Sequence, residues 1–349
     1  MKYSYRRIEN ILNILSEYQG DVPLDNHLRK LFKNHKNWGS KDRRVYRECC
    51  FAYYRYFANL PLTNETITML YEQFEAGLGF ISEYNPYTQY EKALSDNIVL
   101  YELGEWFKQQ APLYVTGSLV KLQELDAQLT NKDIEHSFNE LLIEVNSRVS
   151  DQTFPLINEL QIMDKGSIET CANLPINKDS NVWDCCSGGG GKSLEIMRRY
   201  SPKSLVASDI RKKSLSNLQK RAVTIGRPIQ TKVIDASTDA IDFKPNFIFI
   251  DAPCSGSGTW RRNPDRSANF TLADLARYTE IQEMILLKTS KNLQSGDHLV
   301  YVTCSVFKDE NENQVKKAQE MGLELVNQGV IGGFSENSDY FYRAIFKKK

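Results

Sequence analysis

The chain has little of what a metal centre, a disulfide framework or a membrane span requires. Four histidines are scattered through 349 residues, which lends no support to a metal site. The seven cysteines are odd in number, include the adjacent pairs Cys49-Cys50 and Cys185-Cys186, and form no C-x-x-C. That argues against a disulfide framework and a tetrahedral zinc site, and suggests reduced thiols and a cytoplasmic location. No stretch approaches the ~20 apolar residues of a membrane helix. The opening MKYSYRRIENILNILSEY has charges running through it and no apolar block, so neither a signal peptide nor a membrane partner is expected. Net charge is also absent, with 44 Lys/Arg against 44 Asp/Glu.

That zero conceals an asymmetry. Residues 1–60 hold twelve Lys/Arg against six Asp/Glu, and residues 61–150 hold five against fourteen. A basic head is suited to polyanion contact, although a solvated helical surface has the same composition. The apolar content of 41% and charged content of 25% are those of a globular protein, and the length accommodates two domains. Ile8, Ile11, Leu12 and Leu15, and then Tyr46, Cys50, Tyr53 and Phe57, recur at helical spacing. Arg43, Arg44 and Arg47 lie along one side of a helix following Gly39-Ser40. Residues 61–150 read as a continuation of the helices. From about residue 180 the rhythm changes to short apolar strands alternating with helices: NVWDCC, SLVASDI, IQTKVIDA, FIFIDAP, HLVYVTCS, LELVNQG and YFYRAIF. Such alternation predicts an α/β fold with a parallel, doubly wound sheet, which binds ligands at the carboxyl ends of its strands.

The residues at those ends carry chemistry. After the first strand, Cys185-Cys186-Ser187-Gly188-Gly189-Gly190-Gly191-Lys192-Ser193 resembles a phosphate-binding loop, but the pattern requires a glycine where Cys186 stands. The glycines allow backbone to approach a ligand closely. Asp184, Asp209, Asp235 and Asp251 fall at four successive strand ends, and Asp209 lies at an offset that fits a ribose diol. A dinucleotide is one candidate ligand. S-adenosylmethionine is another, its sulfonium being better suited to an acidic cleft than a pyrophosphate. Cys254 and Cys304 follow the fourth and fifth strands, where two reactive thiols have no use in phosphoryl transfer.

DAPCSGSGTWRRNPD and TCS resemble motifs of the Sun/Nop family of RNA 5-methylcytosine methyltransferases, and DCCSGGGGKS resembles that family's cofactor loop. Gly189 stands where the family has proline, and Ser187 where it has alanine. The resemblance covers about residues 161–349. LFKNHKNWGSKDRR resembles the helical, NusB-like RNA-binding domain of the RsmB branch. It implies a Rossmann-like class I methyltransferase sheet behind an all-helical N-terminal domain. The domains expected are residues 1–105 (RNA-binding), 106–160 (a shortened connecting subdomain) and 161–349 (methyltransferase).

The resemblance further implies S-adenosyl-L-methionine as cofactor, held by Cys186, Ser187, Gly188, Gly189, Gly190, Gly191, Lys192, Asp209, Asp235 and Asp251. It makes Cys304 the nucleophile that adds to cytosine, Cys254 the residue that assists product release, and Asp251 with Lys192 the holders of the target base. Arg261 and Arg262 are expected phosphate contacts. Covalent catalysis suits cytosine because thiolate addition at carbon 6 turns carbon 5 into a nucleophile, and the base must be unstacked to be reached. The expected partner is RNA, ribosomal RNA first with transfer RNA as the main variant, acted on by a monomer without a metal. A non-catalytic assembly factor that kept the fold is the reading from another class.

Overall fold

In a computed structural model, the described residues are 2–77, 79–80, 82–139, 141–145 and 160–349. The first hundred residues fold as α1 (Lys2–Glu17), α2 (Leu24–Asn34), α3 (Ser40–Ala52), a π-helical turn (Tyr53–Phe57), α4 (Asn64–Ala76) and α5 (Leu100–Lys108). The helical spacing read from the sequence is the one that is buried: Ile8, Ile11, Leu15, Tyr46, Cys50, Tyr53 and Phe57 share one apolar cluster. Burying each large side chain contributes roughly 1.5–3 kcal/mol, more than the helices' own propensities supply.

The next stretch corrects the helical expectation for residues 61–150. It contains β1 (Leu113–Thr116), α6 (Leu119–Asn131), β2 (His136–Phe138) and β3 (Leu142–Val145). With β4 (Gln161–Ile162), these strands form an antiparallel sheet in the order β2-β3-β1-β4. Strands of four residues or fewer are too short for alternation to stand out between helical segments. Residues 146–159 of the expected connecting region lie outside the described residues.

The remainder alternates as the sequence suggests: α7 (Lys165–Thr170), β5 (Asn181–Asp184), α8 (Gly191–Tyr200), β6 (Ser204–Asp209), α9 (Lys212–Thr224), β7 (Gln230–Val233), β8 (Phe247–Asp251), α10 (Asp265–Asn269), α11 (Leu272–Ser290), β9 (His298–Thr303), α12 (Glu312–Glu320), β10 (Leu323–Gly332) and β11 (Tyr340–Lys348). They build a seven-stranded sheet in the order β10-β11-β9-β8-β5-β6-β7. Strands β5 to β9 are parallel, as expected of this Rossmann-like sheet. Contrary to a wholly parallel reading, β11 runs antiparallel to both β9 and β10. The stretch 333–339 between β10 and β11 is too short for the dozen or so residues of a parallel crossover. Strand order reverses between β5 and β8, the position where sheets of this kind open a crevice for a ligand.

The chain groups into two compact units. The first comprises the chain up to Lys92 with Ile98–Gln110 and Thr259–Thr271; the second comprises Ala93–Asn97, Ala111–Gly258 and Leu272–Lys349. This grouping differs from linear boundaries at 105 and 160, because the stretch after the Pro-Cys loop belongs with the helices. In the first unit Trp260 stacks on Tyr87 (centroids 5.1 Å apart, 21° between planes). Tyr18 Oη donates to Asp265 Oδ2 (2.7 Å). In the second unit, apolar clusters centred on Trp183, Ile250 and Tyr301 and on Leu194, Phe249 and Val302 fix the strands whose ends form the site.

Candidate active site

Four strand ends supply the site. Beyond β5, the turn Cys185–Gly190 carries the chain into α8. Gly190 adopts φ +78°, and a Cβ there would lie 2.0 Å from Leu218 Cδ1, so only glycine closes this turn against α9. Ser187 faces inward, its N and Oγ both donating to Ser208 O (2.9 and 3.1 Å). Gly188 N donates to Asp209 Oδ2 (2.9 Å). An amide that a phosphate loop would aim at an anion is therefore already engaged by a carboxylate. Gly189 O accepts from Arg221 Nη1 (2.6 Å), whose Nη2 donates to Gln161 Oε1 (2.8 Å).

A cavity of about 470 Å³ opens beside this turn, lined by Cys186, Asp209, Asp235, Asp251 and Cys254 and by the apolar Ile210, Ile234 and Ile281, with Tyr278 and Arg211. Its size is that of a small-molecule pocket. Of the expected cofactor residues, Cys186, Asp209, Asp235 and Asp251 line it, whereas Ser187, Gly189, Gly190 and Gly191 shape the turn beside it. Asp209 is almost fully buried. Burial alone would raise its carboxyl, but hydrogen bonds from the Arg211 side chain and backbone and from Gly188 hold it below the usual carboxylate range. Asp235 Oδ1 accepts from Ser237 N and Oγ (2.9 and 2.5 Å).

On the other side of β5, Lys192 Nζ lies 2.7 Å from Asp251 Oδ2, with 11% and 32% of the two side chains exposed. The same ammonium sits 5.1 Å from the Phe341 ring centroid. Burial pulls Lys192 down, but the Asp251 carboxylate and the nearby Cys304 and Cys171 sulfurs more than offset it, so the group stays cationic. Cys254 and Cys304 then meet, their Sγ atoms 3.4 Å apart. Cys254 is pushed well above an ordinary thiol by its hydrogen bond to Cys304, by burial and by the charges of Cys304 and Glu310. Gly258 N closes the two turns together by donating to Cys304 O (2.9 Å), and a Cβ on Gly258 would meet Tyr340 O at 2.1 Å.

Arg261 departs from its expected role. It is fully buried in the helical unit, its guanidinium 5.1 Å from the Trp106 ring. Arg43 likewise folds back on Trp38 O (2.9 Å), Arg44 pairs with Glu48 and Arg47 with Asp25. Residues missed in the sequence include Ile210, Tyr278 and Arg211 around the cavity, and Glu310 behind the cysteines. Ile210 and Arg211 directly follow a recognised strand end, which was a usable signal. Glu310 stands in the charged run KDENEN, which reads as solvated surface. No group of three or more metal-binding side chains occurs among the described residues, and no described helix is long and apolar enough to cross a membrane.

Residues 172–332 match the family described as 16S rRNA methyltransferase RsmB/F. Ribosomal RNA small subunit methyltransferase B of Vibrio vulnificus (strain YJ016) is 32% identical over 182 residues, 48% of this chain and 42% of that protein. The probable ribosomal RNA small subunit methyltransferase B of Bacillus subtilis (strain 168) is 33% identical over 162 residues, 45% of this chain and 36% of that protein. The chain thus spans about two fifths of the length of these relatives. Among solved structures, PH0851 superposes over 99% of both chains with a TM-score of 0.76 at 15% identity. NSun6 from Pyrococcus horikoshii covers 71% of this chain and 94% of its own with a TM-score of 0.63 at 13% identity. At these identities the likeness shows the fold.

Proposed function

We propose that this chain, whose residues 172–332 match the RsmB/F methyltransferase family, methylates carbon 5 of a cytosine in RNA, the small-subunit ribosomal RNA being the substrate its relatives' names suggest. The observation that carries the reading is the pair of sulfurs 3.4 Å apart, beside a buried lysine–aspartate pair and an acidic nucleoside-sized cavity.

The residues fit S-adenosylmethionine. Asp209 and Asp235 present carboxylates to a ribose, Ile210, Ile234 and Ile281 offer apolar walls to an adenine, and the acidic lining suits a sulfonium. Bound there, this cofactor supplies an electrophilic methyl group. The protein's residues supply the rest. Lys192 and Asp251 form a polar pair suited to the amino and ring-nitrogen edge of cytosine. Cys304, as its thiolate, forms the bond to carbon 6 and so makes carbon 5 nucleophilic. Once Cys304 is bonded to the ring, the interactions with it that raise Cys254 are gone. Cys254 then releases its proton to solvent and, as a thiolate, accepts the carbon-5 proton. The electrons of that C–H bond restore the ring double bond as the bond from carbon 6 to Cys304 Sγ breaks, returning a thiolate.

The test is incubation with methyl-labelled S-adenosylmethionine and unmodified ribosomal or transfer RNA, followed by nucleoside analysis. Label in 5-methylcytidine from one RNA pool is expected. Cys304→Ala should abolish both turnover and covalent RNA adduct, whereas Cys254→Ala should accumulate adduct. Identical behaviour of the two variants would overturn the division of labour. Absence of label from both pools, with cofactor bound, would favour the assembly-factor reading.

A further inference from the structure

We propose that Glu310 is a positioning residue for the sulfur pair: its carboxylate anchors the Cys254 turn against the Cys304 turn, and so governs resolution of the covalent RNA adduct more than its formation. This rests on the two-cysteine reading above. Glu310 ends a 3-10 turn (Lys308–Glu310) and is fully buried. It does not line the cavity, so it acts through other residues. Its Oε1 accepts from Ser255 N (2.8 Å) and Gln282 Nε2 (3.0 Å), and its Oε2 accepts from Ser255 Oγ (2.5 Å). Gln282 Nε2 also donates to Pro253 O (2.9 Å). The residues on both sides of Cys254 are therefore fixed by one carboxylate and one amide.

The same cluster reaches the other cysteine. Ser255 Oγ lies 3.3 Å from Ser305 Oγ, and Ser257 Oγ lies 3.0 Å from the first and 3.2 Å from the second. Each cysteine is thus followed by a serine belonging to a single buried network. Its two halves are held unequally. The Cys304 turn has further supports, since Asn311 Nδ2 donates to Ser305 O (2.9 Å) and Thr303 Oγ1 donates to Asn311 Oδ1 (2.6 Å). Ser255 donates twice to Glu310 and Ser305 once, so loss of Glu310 loosens the Cys254 turn more than the Cys304 turn. A buried carboxylate is costly unless fully hydrogen-bonded, and here these donors satisfy it.

The test measures adduct formation and release separately, with labelled S-adenosylmethionine, an unmodified small-subunit ribosomal RNA transcript and denaturing gels. Glu310→Ala should slow release by about tenfold or more while adduct forms within about threefold of the native rate. Glu310→Gln, which still accepts from Ser255 N and donates to Ser255 Oγ, should restore release to within about threefold of native. If Glu310→Ala does not fold, Ser255→Ala is read instead, with the same ordering of effects and a smaller size. Equal losses in formation and release, or unchanged release, would overturn the proposal. A parallel Cys254→Ala reaction separates the two failures: without adduct there, the two-cysteine reading falls and this proposal falls with it.

Discussion

Two buried carboxylates stand behind the two halves of the site, and they are treated differently. Asp184, at the root of the glycine turn, accepts a hydrogen bond from Ser193 Oγ (2.5 Å), and its Oδ1 is buried without a side-chain partner. Burial raises its carboxyl to about 7, with the charge of Asp251 adding to the rise and Ser193 and Lys192 opposing it. Glu310, behind the cysteines, is engaged through both oxygens. The glycine turn is held by backbone fit and by Arg221 from outside, whereas the cysteine turns are locked by side chains within the core. A ligand-binding turn tolerates some adjustment; in the proposed reaction, a sulfur that must meet the carbon-5 proton while its neighbour holds the ring does not. The difference is where the fold places its rigidity.

Breaking the backbone fit should have the largest effect. Gly190→Ala forces a Cβ into Leu218 at positive φ and should destabilise the fold by about 3 kcal/mol, seen as a lowered urea midpoint. The buried carboxylates give the next effect. A carboxyl raised to about 7 from an unfolded value of ~3.9 contributes most stability below that unfolded value, and loses the contribution as pH rises towards 7. Asp184→Asn should therefore gain on the native protein by up to about 2 kcal/mol between about pH 5 and about pH 8 in denaturant melts. A constant difference across that range would remove Asp184 as the titrating group. A paired test is smaller but sharper. Ser257→Ala leaves Val306 N, which donates to Ser257 Oγ (3.0 Å), unsatisfied and should cost about 1–2 kcal/mol. Arg221→Ala should leave stability within about 0.5 kcal/mol and weaken S-adenosylhomocysteine binding about threefold by calorimetry. Reversal of that pattern would end the distinction between an adjustable turn and a locked one.

Strands β5, β6, β8 and β9 are legible because each is an apolar run leading into Asp or Cys, so that chemistry and periodicity point to the same positions. Lys192, Asp251, Cys254 and Cys304 were found that way, and they do converge. What escaped was set by partners distant in sequence. Glu310 lies in a run of charges, and nothing local marks it as buried. Arg261 looks like Arg262 beside it, yet its guanidinium packs over Trp106. The small sheet of β1 to β4 was lost because its strands are too short to show a period.

The stretch Thr259–Thr271, which completes the helical unit, has a consequence for how such a protein can be rearranged. A breakpoint between Gln110 and Ala111 would not separate two modules. It would leave Trp260, whose indole stacks on Tyr87, and Asp265, which receives Tyr18 Oη, on the wrong side of the join with their partners gone. The helical head is thus no interchangeable cassette: a graft from another protein would have to bring its own version of this inserted strip, so head and strip are expected to be inherited together.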